Sequence, residues 1–293
     1  MCDRAHTSAP PVFKRLYIGF NALRNGFLHG CRSIIGFDGC FRSAVGRDGN
    51  DQIFPIAWVV VEGENYDSWS WFLGLLFDDL CIHHGYGWTL AHQDFTAIGV
   101  QKFCQAFIST NSKCETITNN RYILKVRSKD IIDMLEDICR LVMARMQAKR
   151  ELMLRSNDEI CPNIRKKLEK NKRETRFCHV TPAGNLKIEV QHMEKSHVVN
   201  LSDRTCLCRY WDISGIPCNH AISCIVWLKE YSDNYVNNYY KNEAYLKTYE
   251  FLMEPLTVKD TWPQVEGPRV LPPPVKKMPG RPKKKRRREV HEE

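Results

Sequence analysis

No run of 18 apolar residues occurs anywhere in the 293-residue chain, so no stretch reads as a membrane-crossing helix. No signal-peptide pattern opens it, and the 13 cysteines are odd in number and scattered through apolar segments. Their spacing excludes the disulfide framework of a small secreted domain. A reducing intracellular compartment is expected, with most cysteines as small buried side chains and three as metal ligands. Acidic residues are missing from 276–288, where nine Lys or Arg occur, a number equal to the whole formal net charge of +9. The rest of the chain is formally neutral, so any nucleic-acid affinity arising from charge belongs to that stretch and not to the fold. What is present is ordinary globular composition, 43% hydrophobic and 11% aromatic, with length for one large or two modest domains.

The most informative stretch, 206–221, reads CLCRYWDISGIPCNHA. It offers Cys206, Cys208, Cys218 and His220 as a Cys-x-Cys pair and a Cys-x-His pair with nine residues between them. Three thiolates and an imidazole suit one closed, tetrahedral, structural Zn2+ site. A single pair would more often be buried cysteines and a core histidine; two pairs followed by the helical run 221–228 favour the metal. Gly215 and Pro217 allow the intervening turn to bring the second pair back to the first. His220 must be neutral to bind, and its other ring nitrogen needs an acceptor.

Along the chain, 13–27 has roughly helical apolar spacing. Residues 32–40, RSIIGFDGC, read as a buried strand with Asp38 at its exit. A second strand begins at 43–45, RDGND turns the chain, and 53–62 is a uniformly apolar third strand with Pro55 near its start. Residues 65–80 form a helix capped by Asp67 or Ser68, and 88–92 a further short strand. Between 93 and 128 the periodicity is weak. An amphipathic helix covers 129–155, and Pro162 starts another through Thr175, so polar that little core packing is expected to hold it. Three strand-like pieces lie in 176–200, with the first ligand pair expected at a hairpin and the second at a helix start. The tyrosine-rich stretch 231–249 reads as a packing helix or an irregular lid, and folded structure is expected to end near 262.

The cysteine cluster resembles the SWIM zinc finger. The order of IIGFDGCF, AVGRDGNDQIFPIAWVVVEGENYDSWSWFL, EICPNIRKKLEKNK, GIPCNHA and PPPVKKMPGRPKKK resembles plant Mutator-like (MULE) transposases and proteins derived from them, over most of the chain. The resemblance implies an RNase-H-like core in which three carboxylates hold two divalent ions, Mg2+ or Mn2+, for phosphodiester chemistry. Asp38 matches the first acid. Asp94, in WTLAHQD, stands one residue later than the second acid of the family, and the long insertion carrying the third is missing; Glu115 matches nothing. Asp38 and Asp94 are therefore read as vestigial and the protein as catalytically inactive, with a residual metal-dependent transposase or nuclease as one alternative and a protein-interaction module as another. Loss of the insertion would expose apolar sheet surface unless the remaining helices repack or a partner covers it.

The expected fold class is α+β. It comprises a partial RNase-H-like mixed α/β layer at 30–128, a helical segment at 129–175 and a small ββα SWIM zinc module at 176–230. An aromatic extension follows at 231–262 and a disordered Pro-rich, basic tail at 263–293. Arg281, Lys283, Lys284, Lys285, Arg286, Arg287 and Arg288 are the expected contacts to DNA. The same cluster reads equally as a signal for the nuclear import machinery, which places the protein in the nucleus. A protein partner for the finger is a further expectation, and a membrane is not.

Overall fold

The computed structural model describes residues 2–3, 10–38, 43–63, 65–82, 87–91, 130–182, 187–255, 263, 267–268 and 270–272. It is a mixed α/β structure, and no described helix is long and apolar enough to cross a membrane. Strands β1 (Cys2–Asp3) and β2 (Val12–Phe13) form a short antiparallel pair.

The larger sheet is built from β3 (Leu16–Gly19), β4 (Ile34–Asp38), β5 (Ser43–Arg47), β6 (Ile53–Val60) and β7 (Thr89–Ala91), in the order β3-β6-β5-β4-β7. All pairs are antiparallel except β4 with β7, where Ile34 pairs with Thr89 and Gly36 with Ala91. Three successive antiparallel strands, a helix, and a fourth strand parallel to the first make this a mixed α/β layer. Pro55 sits in β6 where β3 does not reach, since β3 pairs only with 57–60, and a register shift between Ala44 and Val45 lies beside it. Its missing N–H is thereby accommodated.

Residues 13–27 depart from the expected helix. Leu16–Gly19 is a strand, and only from Asn21 does α1 (Asn21–Gly30) begin. The outer edge of the apolar strand β6 supplies hydrogen-bonding partners from Leu16↔Val60 to Gly19↔Ala57, and this pairing overrides a weak helical spacing. Helix α2 (Tyr66–Asp79) is capped by Asn65, not by Asp67 or Ser68. The Asn65 side chain accepts from the Ser68 amide at 2.9 Å, while Ser68 Oγ accepts from the Asn65 amide at 3.2 Å, a reciprocal capping box. Trp69 and Phe72 meet Phe37 edge-on at 6.0 and 6.2 Å.

Helices α3 (Ile131–Leu154) and α4 (Pro162–Glu174) follow. Of the thirteen residues of α4, expected to have little core packing, two enter the core. Ile164 and Leu168, four apart on one face, are completely buried, and Arg165 bridges Asp158 and Asp233 at 2.6 Å each. On its other faces Lys167 pairs with Asp51, and Lys172 with Glu169 and Asp233. Met134, Ile138, Val142 and Met146 of α3 share one core with the sheet, as do Tyr240, Tyr245 and Tyr249. These helices cover apolar surface of the sheet.

The second sheet is an antiparallel meander of β8 (Cys178–Pro182), β9 (Lys187–His192), β10 (Lys195–Asn200) and β11 (Thr205–Cys206). Helices α5 (Tyr210–Ser214) and α6 (Asn219–Trp227) follow it. Ile188, Val190, Val199, Trp211, Ala221 and Ile225 are buried together in a second core, while Ile216 and Ile222 belong to the first. The stretch 231–249, expected as a packing helix or an irregular lid, holds two single 3₁₀ turns and the short helix α7 (Asn242–Thr248), whose Tyr245 is buried in the first core.

Candidate metal centre

The last β10–β11 pairs, Val199↔Cys206 and Asn200↔Thr205, carry the chain into the first ligand arm. There Arg209 adopts φ 62°, in the left-handed region, and its amide donates to the Cys206 carbonyl at 2.8 Å. The Cys206 amide donates to Asp212 Oδ1 at 3.0 Å, which ties this turn to α5. Gly215, at φ 71°, ends α5 and reverses the chain. Its carbonyl accepts from the Asn237 amide at 3.0 Å, and the Pro217 carbonyl accepts from Asn171 Nδ2 at 2.8 Å, so the return arm is held from both sides. Cys218 is then the N-cap of α6, its Sγ accepting from the Ala221 amide at 3.4 Å, and His220 lies in the first helical turn. An amide and a helix N-terminus both favour a thiolate at Cys218.

These arms bring the potential ligand atoms of Cys206, Cys208, Cys218 and His220 within 4.8 Å of one another. His220 Nδ1 lies 3.7 Å from Cys206 Sγ and 3.9 Å from Cys218 Sγ. Zinc–sulfur and zinc–nitrogen bonds of about 2.3 and 2.0 Å give tetrahedral edges of roughly 3.5 to 3.8 Å, so the donor set and its spacing fit zinc. Cys206, Cys218 and His220 are buried and Cys208 is half-buried. Hydrogen bonds from Cys206 and then Cys218 push the Cys208 thiol well down. Bonding to Cys208 pushes Cys206 up to about 11, and bonding to Cys206 and Cys208 pushes Cys218 up. A divalent cation that replaces the shared protons converts all three to ligating thiolates.

Two residues that the ligand spacing does not reveal complete the surroundings. His220 Nε2 lies 3.2 Å from His192 Nδ1, and the His197 ring stacks on His220 at 4.0 Å with 24° between planes. Burial lowers the His197 pKa, and the neighbouring His220 adds to this. Alternation was the available signal: His192 shares parity with buried Ile188 and Val190, and His197 with buried Val199.

The other sequence-derived candidates are not brought into this centre. Asp38 closes β4, paired in register with Ser43. Asp94, Glu115 and the tail residues Arg281, Lys283, Lys284, Lys285, Arg286, Arg287 and Arg288 lie outside the described residues. Among the described residues no acidic cluster that could hold Mg2+ or Mn2+ accompanies the Cys/His group. Among the described cysteines outside the cluster, Cys31, Cys139, Cys161 and Cys224 are buried, Cys178 is half-buried and Cys81 is exposed.

The SWIM zinc finger family matches residues 197–223, a span that contains all four cluster residues and His197. No curated protein and no solved structure matches the chain.

Proposed function

With a SWIM zinc finger as the premise, we propose that this chain is a transposase-derived protein without transposase chemistry. Cys206, Cys208, Cys218 and His220 hold one structural Zn2+, and the basic tail contacts DNA. The carrying observation is the closed four-donor cluster: four protein donors leave no open position for a substrate or an activated water. The strand order β3-β6-β5-β4-β7 supports a transposase ancestry. The missing insertion and the displaced Asp94 support inactivity. The concentration of all net charge in 276–288 supports both DNA contact through phosphates and nuclear import.

A protein-interaction reading is favoured by one observation: Leu207, between the two cysteines of the first ligand pair, and Ile213, on the helix that follows it, are 64% and 69% exposed. The test is metal analysis of the purified chain with DNA binding measured on the same samples. One zinc per chain is expected, falling well below one in Cys218→Ser. Deletion of 276–288 is expected to leave zinc in place and to abolish salt-dependent DNA binding. Full zinc content in Cys218→Ser would reject the ligand assignment, and DNA affinity that survives the deletion would move binding to the finger.

A further inference from the structure

The ring nitrogen of His220 that points away from the thiols has a partner, and its identity constrains the chemistry. Nδ1 is the atom beside the sulfurs, at 3.7 and 3.9 Å, so Nε2 must carry the proton when Nδ1 ligates a metal. That Nε2 faces His192 Nδ1 at 3.2 Å. We propose that His192 is the positioning residue of the metal centre: its unprotonated Nδ1 accepts from His220 Nε2–H and so fixes both the tautomer and the ring plane that present Nδ1 to zinc. The inference rests on zinc binding by the cluster.

Strand geometry explains why His192 can act in this way. It is the last residue of β9, paired with Cys178 on one side and Lys195 on the other, so its backbone is held by both neighbouring strands. Period-2 alternation turns it to the face on which Ile188 and Val190 are buried, and α6, which carries His220, packs against that strand. On β10, His197 stands on the same side of the hairpin and covers the His220 ring at 4.0 Å, while the rings of His192 and His220 meet steeply at 62°. One histidine therefore supplies the acceptor and the other limits rotation of the ring. A carboxylate would add negative charge beside three thiolates; a neutral imidazole supplies the acceptor without that repulsion. Groups in this position commonly account for 10- to 100-fold in metal affinity.

The experiment is competition for zinc between a chelator and the full chain, for the parent, His192→Ala and His192→Asn. The Asn carbonyl oxygen occupies nearly the place of an imidazole Nδ1 and accepts as it does. His192→Ala is expected to bind one zinc about 10- to 100-fold more weakly, and His192→Asn to recover most of that loss. Long-range nitrogen–proton NMR should show His220 as the Nε2–H tautomer in the zinc-loaded parent and in His192→Asn. Equal affinity in parent and His192→Ala overturns the proposal, as does an Asn variant as weak as the Ala variant. A parent chain that binds no zinc would instead reject the underlying zinc assignment.

Discussion

Asp48 is a carboxylate in the interior, and its environment sets a pH dependence of definite sign. It is fully buried, accepting from the amides of Asn50 at 3.0 Å and Gln52 at 2.8 Å and from the Tyr249 hydroxyl at 2.8 Å. Burial nevertheless dominates these bonds and raises its pKa from 3.8 to about 6. The folded state therefore holds this proton more tightly than the unfolded chain does. The group favours folding most below about pH 4, loses that contribution as pH rises to about 6, and adds no further slope above it, a change on the order of 3 kcal/mol. Glu62 acts in the opposite sense: hydrogen bonding to Arg15 lowers it from 4.5 to about 2, so its contribution is present above about 4.5 and lost as pH falls through about 2. Denaturant unfolding at several pH values should show that Asp48→Asn removes the decline between about pH 4 and pH 6; an unchanged slope would rule out Asp48 as its source. In sequence Asp48 reads only as part of the RDGND turn, because Tyr249, whose hydroxyl donates to it, is 201 positions away. His192 and His197 escaped notice for a related reason: strand parity marks their face but not the helix that arrives there. The four cluster residues, by contrast, are legible because their chemistry is written in local spacing.

At the scale of elements, two glycines in helices should respond oppositely to the same substitution. A Cβ added at Gly30 in α1 would lie 2.1 Å from Thr248 Oγ1 and 2.5 Å from the Thr248 amide nitrogen, at the α7 contact. A side chain can rotate away, but the backbone of α7 must move, which costs about 1 to 3 kcal/mol. The gain in helix propensity, about 1 kcal/mol, does not offset it. Gly74 in α2 has nothing within 4 Å of the same added atom, so only propensity operates. Thermal unfolding should therefore show Gly30→Ala destabilised and Gly74→Ala stabilised by about 0.5 to 1 kcal/mol; a stable Gly30→Ala would refute the close approach of α1 and α7. The same contact shows where element reading from sequence stops. Strand β6 and helix α2 are legible because apolar runs, turns and caps are local. Strand β3 exists through its pairing with β6, and α7 through glycines more than 200 residues earlier, so neither has a strong pattern of its own.

For the whole molecule, the question is how far loss of zinc would spread. The second core is small, about ten buried residues that include Cys206 and Cys218, and so compact a unit depends on its metal for stability. Its boundary with the first core is not clean, because Ile216 and Ile222 flank the second ligand pair yet pack with the larger sheet's core. The coupling should be graded along α4. Near its start, the Asn163 amide donates to Asn50 Oδ1 at 2.8 Å and Ile164 is fully buried, ties independent of the metal. Toward its end, Asn171 holds the Pro217 carbonyl, one residue before a ligand. Chelation should therefore abolish amide-exchange protection over 197–228 and weaken it in the last turns of α4, while Asn163 and strands β4 to β6 keep theirs. Protection lost equally everywhere would mean that the two cores unfold as one unit. Protection unchanged in α6 would mean that the metal does not hold the finger together, because the hydrogen bond from Ala221 to Cys218 would then persist without it.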